Sequence, residues 1–353
     1  MRSPVRTLAL VSLLVGGCGG GASAHDPDAA TDTAPPIDVP PLDAPPAGCD
    51  YSEQHDLTND VIATGGIAEA TGITLATRAV ICGAFEHTHF DGDLTVDVDT
   101  YVITLAAPAD VLVRLHGAGA ESIELVGVDV YGGPTFAQHV AAVTFYGDHG
   151  VTAVHLAAGT YQVIPFALAS AAIAATLPYK LELALDAPDT RCAALTSGGY
   201  AEAHDGASST GNDVVQIPSG APPALTTSTA DAPEPSGLVL APASRDRLTG
   251  TAADVATADQ YEDKDAFALA SGTANELTVR LAWSGTANLD FFLFEAGNPD
   301  PVLRALATTA GTETATFSLK PSTDYWLLVG ALAGGTGLPA SYAATVCGAS
   351  YLP

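Results

Sequence analysis

Asp97-Val98-Asp99-Thr100-Tyr101-Val102-Ile103-Thr104-Leu105 decides how this chain is read, because the chain writes it twice. The echo is Asp263-Lys264-Asp265-Ala266-Phe267-Ala268-Leu269, and the match runs on from there. Val113-Arg114-Leu115 returns as Val279-Arg280-Leu281, Gly119 as Gly285, and Ile123-Glu124-Leu125 as Leu289-Asp290-Phe291, each at the same spacing. A spaced set that keeps its separation implies two copies of one domain.

A second signature sits upstream of each copy. Tyr51-Ser52-Glu53-Gln54-His55-Asp56 with Asn59-Asp60 is matched by Tyr200-Ala201-Glu202-Ala203-His204-Asp205 with Asn212-Asp213. Its shorter separation places an insertion between Asp213 and Asp246, where Pro218, Pro222, Pro223, Pro233 and Pro235 among serines and threonines predict an exposed loop. Downstream, Tyr101–Leu105, Val111–Leu115, Ile123–Val128 and Val140–Phe145 are short, rich in β-branched residues and bounded by turn residues. Leu277–Trp283, Leu289–Phe294, Thr314–Leu319 and Tyr325–Val329 repeat the pattern. The alanine-rich run Phe166–Ala175 tempts a helical reading. Aligning Gly159-Thr160-Tyr161 with Ser322-Thr323-Asp324, and Tyr179-Lys180-Leu181 with Tyr342-Ala343-Ala344, argues for a hairpin in both copies. The expected fold is all-β: two tandem jelly-roll-like β-sandwiches, residues 49–191 and 192–353, after a disordered tether.

The N-terminus reads as processing. Arg2 and Arg6 precede a short apolar run, Thr7 to Val15, too brief to span a bilayer. Leu14-Val15-Gly16-Gly17-Cys18 resembles the lipobox of bacterial lipoproteins, which implies a leader over 1–17 and lipidation of Cys18. A plain secretory leader cut after Ala22-Ser23-Ala24 is the alternative. Residues 18–48 alternate Asp26, Asp28, Asp32, Asp38 and Asp43 with seven prolines, a composition that buries no core and reads as an extended, self-repelling tether. Over the whole chain 40 acids face 12 bases, a formal charge of −28, which disfavours nucleic acid and anionic lipid headgroups as partners.

The order of these signatures is similar to that of the bacterial pre-peptidase C-terminal domain: an acidic opening with Asn-Asp, Asp-x-Asp-x-aromatic, a Val-x-Leu strand, a Leu-Asp-Phe strand, Gly-Thr-Tyr and Tyr-x-Leu. The resemblance covers nearly all of Cys49 to Cys347 as two copies, and Glu124 departs from the acid of the Leu-Asp-Phe strand. It implies a jelly-roll-like sandwich of a kind appended to secreted proteases and collagenases, although no peptidase domain accompanies these copies. In some collagenase relatives calcium is held by acids of the opening segment and of the Asp-x-Asp strand, and calcium favours six to eight oxygens. The positions this implies are Glu53, Asp56, Asn59, Asp60, Asp97 and Asp99, and Glu202, Asp205, Asn212, Asp213, Asp263 and Asp265. The same acids also suit solvated loops closed by Asx turns.

His87-Thr88-His89, with Asp91 and Asp93, and the recurrent pair His55 and His204 have no further ligand framework around them and read as loop histidines. Gly206-Ala207-Ser208-Ser209-Thr210-Gly211 is not a nucleophile elbow, and no phosphate or dinucleotide fingerprint occurs. Carboxylates are abundant, but nothing in the sequence locates a glycosidase pair. With Cys18 lipidated, Cys49, Cys82, Cys192 and Cys347 remain to form disulfides in an exported chain. Domain logic favours Cys49 with Cys82 and Cys192 with Cys347, and the alternative joins Cys49 to Cys192.

The function expected is a lipid-anchored cell-envelope protein, at an outer membrane or cell surface, displaying two non-catalytic modules that bind a protein or polysaccharide. No cofactor is required, and calcium is the ion that the resemblance implies could bind. The alternatives are an accessory to a secreted peptidase or other hydrolase, and an enzyme working through acids at the sandwich edge.

Overall fold

The computed structural model describes residues 45, 47–54, 68–85, 95–117, 125–132, 138–145, 149–168, 176–186, 191–203, 213–227, 231–255, 259–305 and 311–350. All of them belong to the compact unit Pro45–Pro353; Met1–Ala44, with the leader and most of the tether, lies outside the described residues.

The first half supplies β1 (Tyr51–Ser52), β2 (Glu69–Thr74), β3 (Arg78–Phe85), β4 (Thr95–Val98), β5 (Tyr101–Leu105), β6 (Ala109–His116), β7 (Leu125–Gly132), β8 (Gln138–Phe145), β9 (His149–Leu156), β10 (Gly159–Leu168) and β11 (Leu177–Leu185). The second supplies β12 (Tyr200–Ala201), β13 (Val215–Gln216), β14 (Ala224–Leu225), β15 (Glu234–Val239), β16 (Arg245–Ala252), β17 (Tyr261–Ala270), β18 (Glu276–Trp283), β19 (Leu289–Glu295), β20 (Pro301–Ala305), β21 (Thr312–Ser318), β22 (Asp324–Leu332) and β23 (Ala340–Ala349).

Each half folds into two sheets, and the wiring is the same in both. In the first half the orders are β1-β3-β11-β6-β9 and β2-β5-β10-β7-β8, with β4 added on β10. In the second they are β12-β16-β23-β18-β21 and β15-β17-β22-β19-β20. Even the parallel pairs recur: β1 with β3 and β12 with β16, β2 with β5 and β15 with β17. Alternation explains how the sheets face each other. In β5, Tyr101, Ile103 and Leu105 are buried while Val102 and Thr104 are half-buried, and the inward set meets Ile81, Leu181 and Leu115 from the opposite sheet in one core. Phe267, Leu269, Val279, Phe291, Leu327 and Val346 build the corresponding core of the second sandwich.

Strand register corrects three sequence readings. The run from Phe166 begins in strand β10, and residues 169–175 lie outside the described residues. However, β10 and β11 are not hairpin partners, nor are β22 and β23. Each pair crosses from one sheet to the other, because antiparallel neighbours β3 and β6 already flank β11, and β16 and β18 flank β23. Second, Tyr161 stands opposite Ile103 and Tyr325 opposite Leu269, so Tyr161 corresponds to Tyr325 and not to Asp324. A slip of one residue would have turned the inward face outward, and both tyrosines are buried. Third, Phe166 pairs with Gly127 where Gly330 pairs with Asp290, so the counterpart of Asp290 is Gly127. The constant spacing thus ends before β7, and Glu124 lies outside the described residues.

The insertion is not simply an exposed loop. Its β13–β14 hairpin carries Val214, Val215 and Ile217 onto Phe292, Phe294, Tyr261 and Leu328, a second apolar cluster on the outer face of the β15–β20 sheet. Nearby, Lys264 is 3% exposed and its Nζ lies 3.1 Å from Asp259 and 3.6 Å from Asp213, so the inserted segment is pinned by charge as well.

Disulfides join Cys49 to Cys82 and Cys192 to Cys347. The second ties the connecting segment to β23, where the Leu195 N–H also donates to Thr345 Oγ1. A ladder of charges spans the two sandwiches here. Arg114 on β6 grips Glu276 on β18 with Nε at 2.7 Å and Nη2 at 3.1 Å, and its Nη1 reaches Glu182 on β11. Arg78 also binds Glu182, and Arg191 binds Asp186. Bidentate guanidinium–carboxylate geometry of this kind fixes orientation as well as charge. Arg114→Met leaves Glu276 buried without that partner and should lower the stability of the chain by about 3 kcal/mol in urea denaturation. Replacing both residues by apolar ones should recover most of that loss.

Candidate functional site

The Asp-x-Asp stretch turns its second acid inward. Asp99 precedes β5 and is 1% exposed, so its carboxylate needs a donor. Tyr179 of β11 supplies one, its Oη donating to Asp99 Oδ2 at 2.5 Å, and Tyr101 Oη lies 2.6 Å from Tyr179 Oη. The second sandwich repeats the tie: Tyr342 Oη of β23 donates to Asp265 Oδ2 at 2.6 Å. Both ties run between opposite sheets, since β5 and β17 belong to one sheet of each sandwich and β11 and β23 to the other. Glycine makes the room. A Cβ on Gly83 would stand 2.5 Å from Tyr179 Oη, and one on Gly250 2.3 Å from Tyr342 Oη. Burial, and then the neighbouring aspartate, hold both hydroxyl groups well above the ordinary tyrosine range, so they remain donors.

The opening acids cap backbone. Glu53 accepts the Ala84 N–H at 2.9 Å and Glu202 the Thr251 N–H at 3.1 Å, at equivalent places on β3 and β16. A further repeated acid escaped the sequence reading. Glu69 accepts from Tyr51 Oη and the Gln54 N–H; Glu234 accepts from the Ala203 N–H and bonds Tyr200. The signal was present: Glu69-Ala70-Thr71-Gly72-Ile73 returns as Glu234-Pro235-Ser236-Gly237-Leu238. Thr71 Oγ1 and Ser236 Oγ bond the strand beside them, at Val102 and Ala268, and Gly72 and Gly237 share a φ of 71°.

Of the calcium positions implied by resemblance, Asp56, Asn59, Asp60, Asp205 and Asn212 lie outside the described residues, as does the side chain of Asp97. So do His55, His204, His87 and His89. In the second sandwich Glu202, Asp263 and Asp265 come together. Glu202 bonds Asp265, and Asp263 accepts the Ala253 N–H at 2.5 Å. Asp213 is drawn instead to Lys264. In the first sandwich Glu53 and Asp99 share the field around Tyr179. Among the described residues no group of three or more His, Cys, Asp or Glu side chains is arranged to hold a metal ion.

The chain matches no protein-family model and no curated protein. Among solved structures it is similar to the pre-peptidase C-terminal domain of collagenase from Bacillus anthracis, with 15% identity over 33% of this chain and 96% of that one, and a TM-score of 0.24. It is also similar to tandem CBM51 modules of the family 98 glycoside hydrolase from Streptococcus pneumoniae, with 7% identity over 72% and 82% of the two chains and a TM-score of 0.24. A third is the CUB1-EGF-CUB2 domain of human MASP-1/3, with 10% identity over 75% and 99% and a TM-score of 0.17. At these scores the likenesses assign neither ligand nor activity.

The carboxyl cluster has a consequence for pH. Burial raises Asp263 to about 6 and Asp213 to about 7, and burial next to Asp290 raises Glu313 to about 8. Burial, then Asp263 and Glu202, also push Asp265 upward. Each of these groups binds its proton more tightly folded than unfolded. Their stabilisation is therefore fully present below the unfolded carboxyl range and is lost as pH rises through 6 to 8. The melting temperature should fall between pH 5 and pH 8, and Asp213→Asn with Glu313→Gln should flatten that fall in thermal unfolding.

Proposed function

We propose that this chain is a lipid-anchored protein of the cell envelope that displays two non-catalytic β-sandwich modules, residues 49–191 and 192–353, for binding or scaffolding. The leader over 1–17, the lipid on Cys18 and the Asp/Pro-rich tether over 18–48 hold the modules out from an outer membrane or cell surface. One observation carries the reading. The acids written twice have structural partners in both copies: Glu53 and Glu202 cap strands, Glu69 and Glu234 fasten β1 and β12, and Asp99 and Asp265 receive tyrosines. Their repetition follows from the fold without any reaction. Two disulfides suit an oxidising compartment outside the cytoplasm. No helix among the described residues is long and apolar enough to cross a membrane. The partner is a protein or polysaccharide of the envelope.

Fractionation tests the anchor and turnover tests the rest. Wild-type protein should sediment with the envelope and enter a detergent phase, whereas Cys18→Ser should remain soluble. Purified protein should show no hydrolase turnover; turnover abolished by Asp97→Asn or Asp263→Asn would overturn the non-catalytic reading.

Calcium is a second reading favoured by one observation, the convergence of Glu202, Asp263 and Asp265 in buried surroundings, a cost a divalent cation relieves. Carboxylate oxygens are the type calcium takes, but the three acids are not arranged as a metal site among the described residues, so an arriving ion would have to draw in further oxygens to hold the opening segment to the Asp-x-Asp strand. Added calcium should then raise the melting temperature and a chelator lower it; an identical melt in both removes calcium from the account.

A further inference from the structure

On the outer face of the β1–β9 sheet one cross-strand row reads Cys82, Lys180, His116. Lys180 stands opposite Cys82 on one side and opposite His116 on the other, and Pro178 stands opposite Ala84 in the next row. Together with the Cys49–Cys82 disulfide these residues line a groove of ≈ 680 Å³, with Glu53 and Gln54 also along it. That volume is of the size that encloses small ligands.

Two independent facts single out the groove. It is where the copies part: the register equates Lys180 with Ala343, His116 with Ala282 and Cys82 with Thr249, so the second sandwich has neither cation nor disulfide there. It also holds an anomalous charge. The sequence has three lysines in a chain of charge −28. Lys264 is paired with Asp259 and Asp213, and Lys320 with Glu295 at 2.7 Å. Lys180 has no ion pair or hydrogen bond to any side chain among the described residues, although acids outnumber bases 40 to 12. A lysine left unpaired in such a chain is poised for a charge that arrives from outside. Glu53, which also lines the groove, caps the Ala84 N–H with Oε2. Among the described residues that line the groove the one aromatic is Tyr179, which directs its hydroxyl inward to Asp99 and offers no platform for a neutral sugar.

We infer that the groove binds a small carboxylate-bearing ligand, with the carboxylate on the Lys180 ammonium and the body against Pro178, Ala84 and the disulfide. The acidic field of the chain opposes multiply charged anions and so favours a single carboxylate. The inference rests on the reading of the first module as a binding module and names its site. Two sources share this chemistry, a peptide C-terminus and an acidic sugar, and the test separates them.

Reductive methylation with ¹³C-formaldehyde of the full chain gives accessible lysines a methyl signal that retains their charge, with the exposed, ion-paired Lys320 as the internal reference. Alanyl-alanine and glucuronate are the carboxylate probes; alanyl-alaninamide and glucose are their neutral counterparts. The signal that disappears in Lys180→Gln should shift saturably with one or both carboxylates, and the responding probe assigns the source. Calorimetry on unmethylated protein should show affinity weakened about tenfold or more in Lys180→Gln, the effect of losing one charge-assisted hydrogen bond. No shift with either carboxylate, a parallel shift of the Lys320 signal, an equal response to the neutral probes, or undiminished affinity in Lys180→Gln would overturn the site. Those results leave the anchor and turnover experiments untouched, so failure here is distinct from failure of the wider reading.

Discussion

A tyrosine hydroxyl held against a buried aspartate is the constraint on which both sandwiches depend. Two sheets packed face to face by apolar contact alone can slide, because such contact is non-directional. A hydrogen bond to a carboxylate 1% exposed does not slide: moving Tyr179 or Tyr342 away would cost a buried Asp99 or Asp265 its hydroxyl donor. The tie works only as a set of three. The aspartate must enter on β5 or β17, the tyrosine must cross from the facing sheet, and Gly83 or Gly250 must leave space for the hydroxyl. Each member is therefore repeated with the others.

Charge economy explains how the two sandwiches meet. With 12 bases against 40 acids, mutual repulsion works against any close approach of two acidic modules. The chain answers by placing Arg78, Arg114 and Arg191 among Glu182, Glu276 and Asp186, an alternating ladder at the junction. The disulfide from Cys192 to Cys347 then fixes the connecting segment to the sheet that Glu276 occupies. Attraction is local there while the rest of the surface stays acidic.

Much of this was legible in the sequence, in a particular way. Alternation and the doubled Asp-x-Asp stretch carry the all-β class and the twofold design, because inward residues recur every second position and a copied core must recur with them. Register was not legible. Spacing equated Tyr161 with Asp324 and Glu124 with Asp290, and the ladders set those pairs right, because a shift of one or three residues costs nothing in composition but changes every partner. The sheet-to-sheet crossings after β10 and β22 also escaped, since a turn and a crossover can share one glycine-rich sequence. The acids were located but their partners were not: which hydroxyl or N–H a carboxylate meets is set by strands far away in the chain, as Asp99 and Tyr179 illustrate.

Duplication supplies its own control for function. What both copies retain is explained by folding, so the chemistry peculiar to this protein should lie where they differ. On the outer face of the second sandwich, Phe292, Phe294 and Leu328 make an apolar surface that water would penalise, and the inserted hairpin covers it. The register places Asp129 and Tyr131 at the first two of those positions in the first sandwich, both half-buried and polar, and a buried Ile164 at the third, so the apolar surface there is much smaller. The second copy thus has its departure explained by burial. The groove beside Lys180 does not, since an ammonium with no ion pair among the described residues, next to a disulfide, satisfies no need of the core. Of the two departures, it is the one that points away from the fold and toward a ligand.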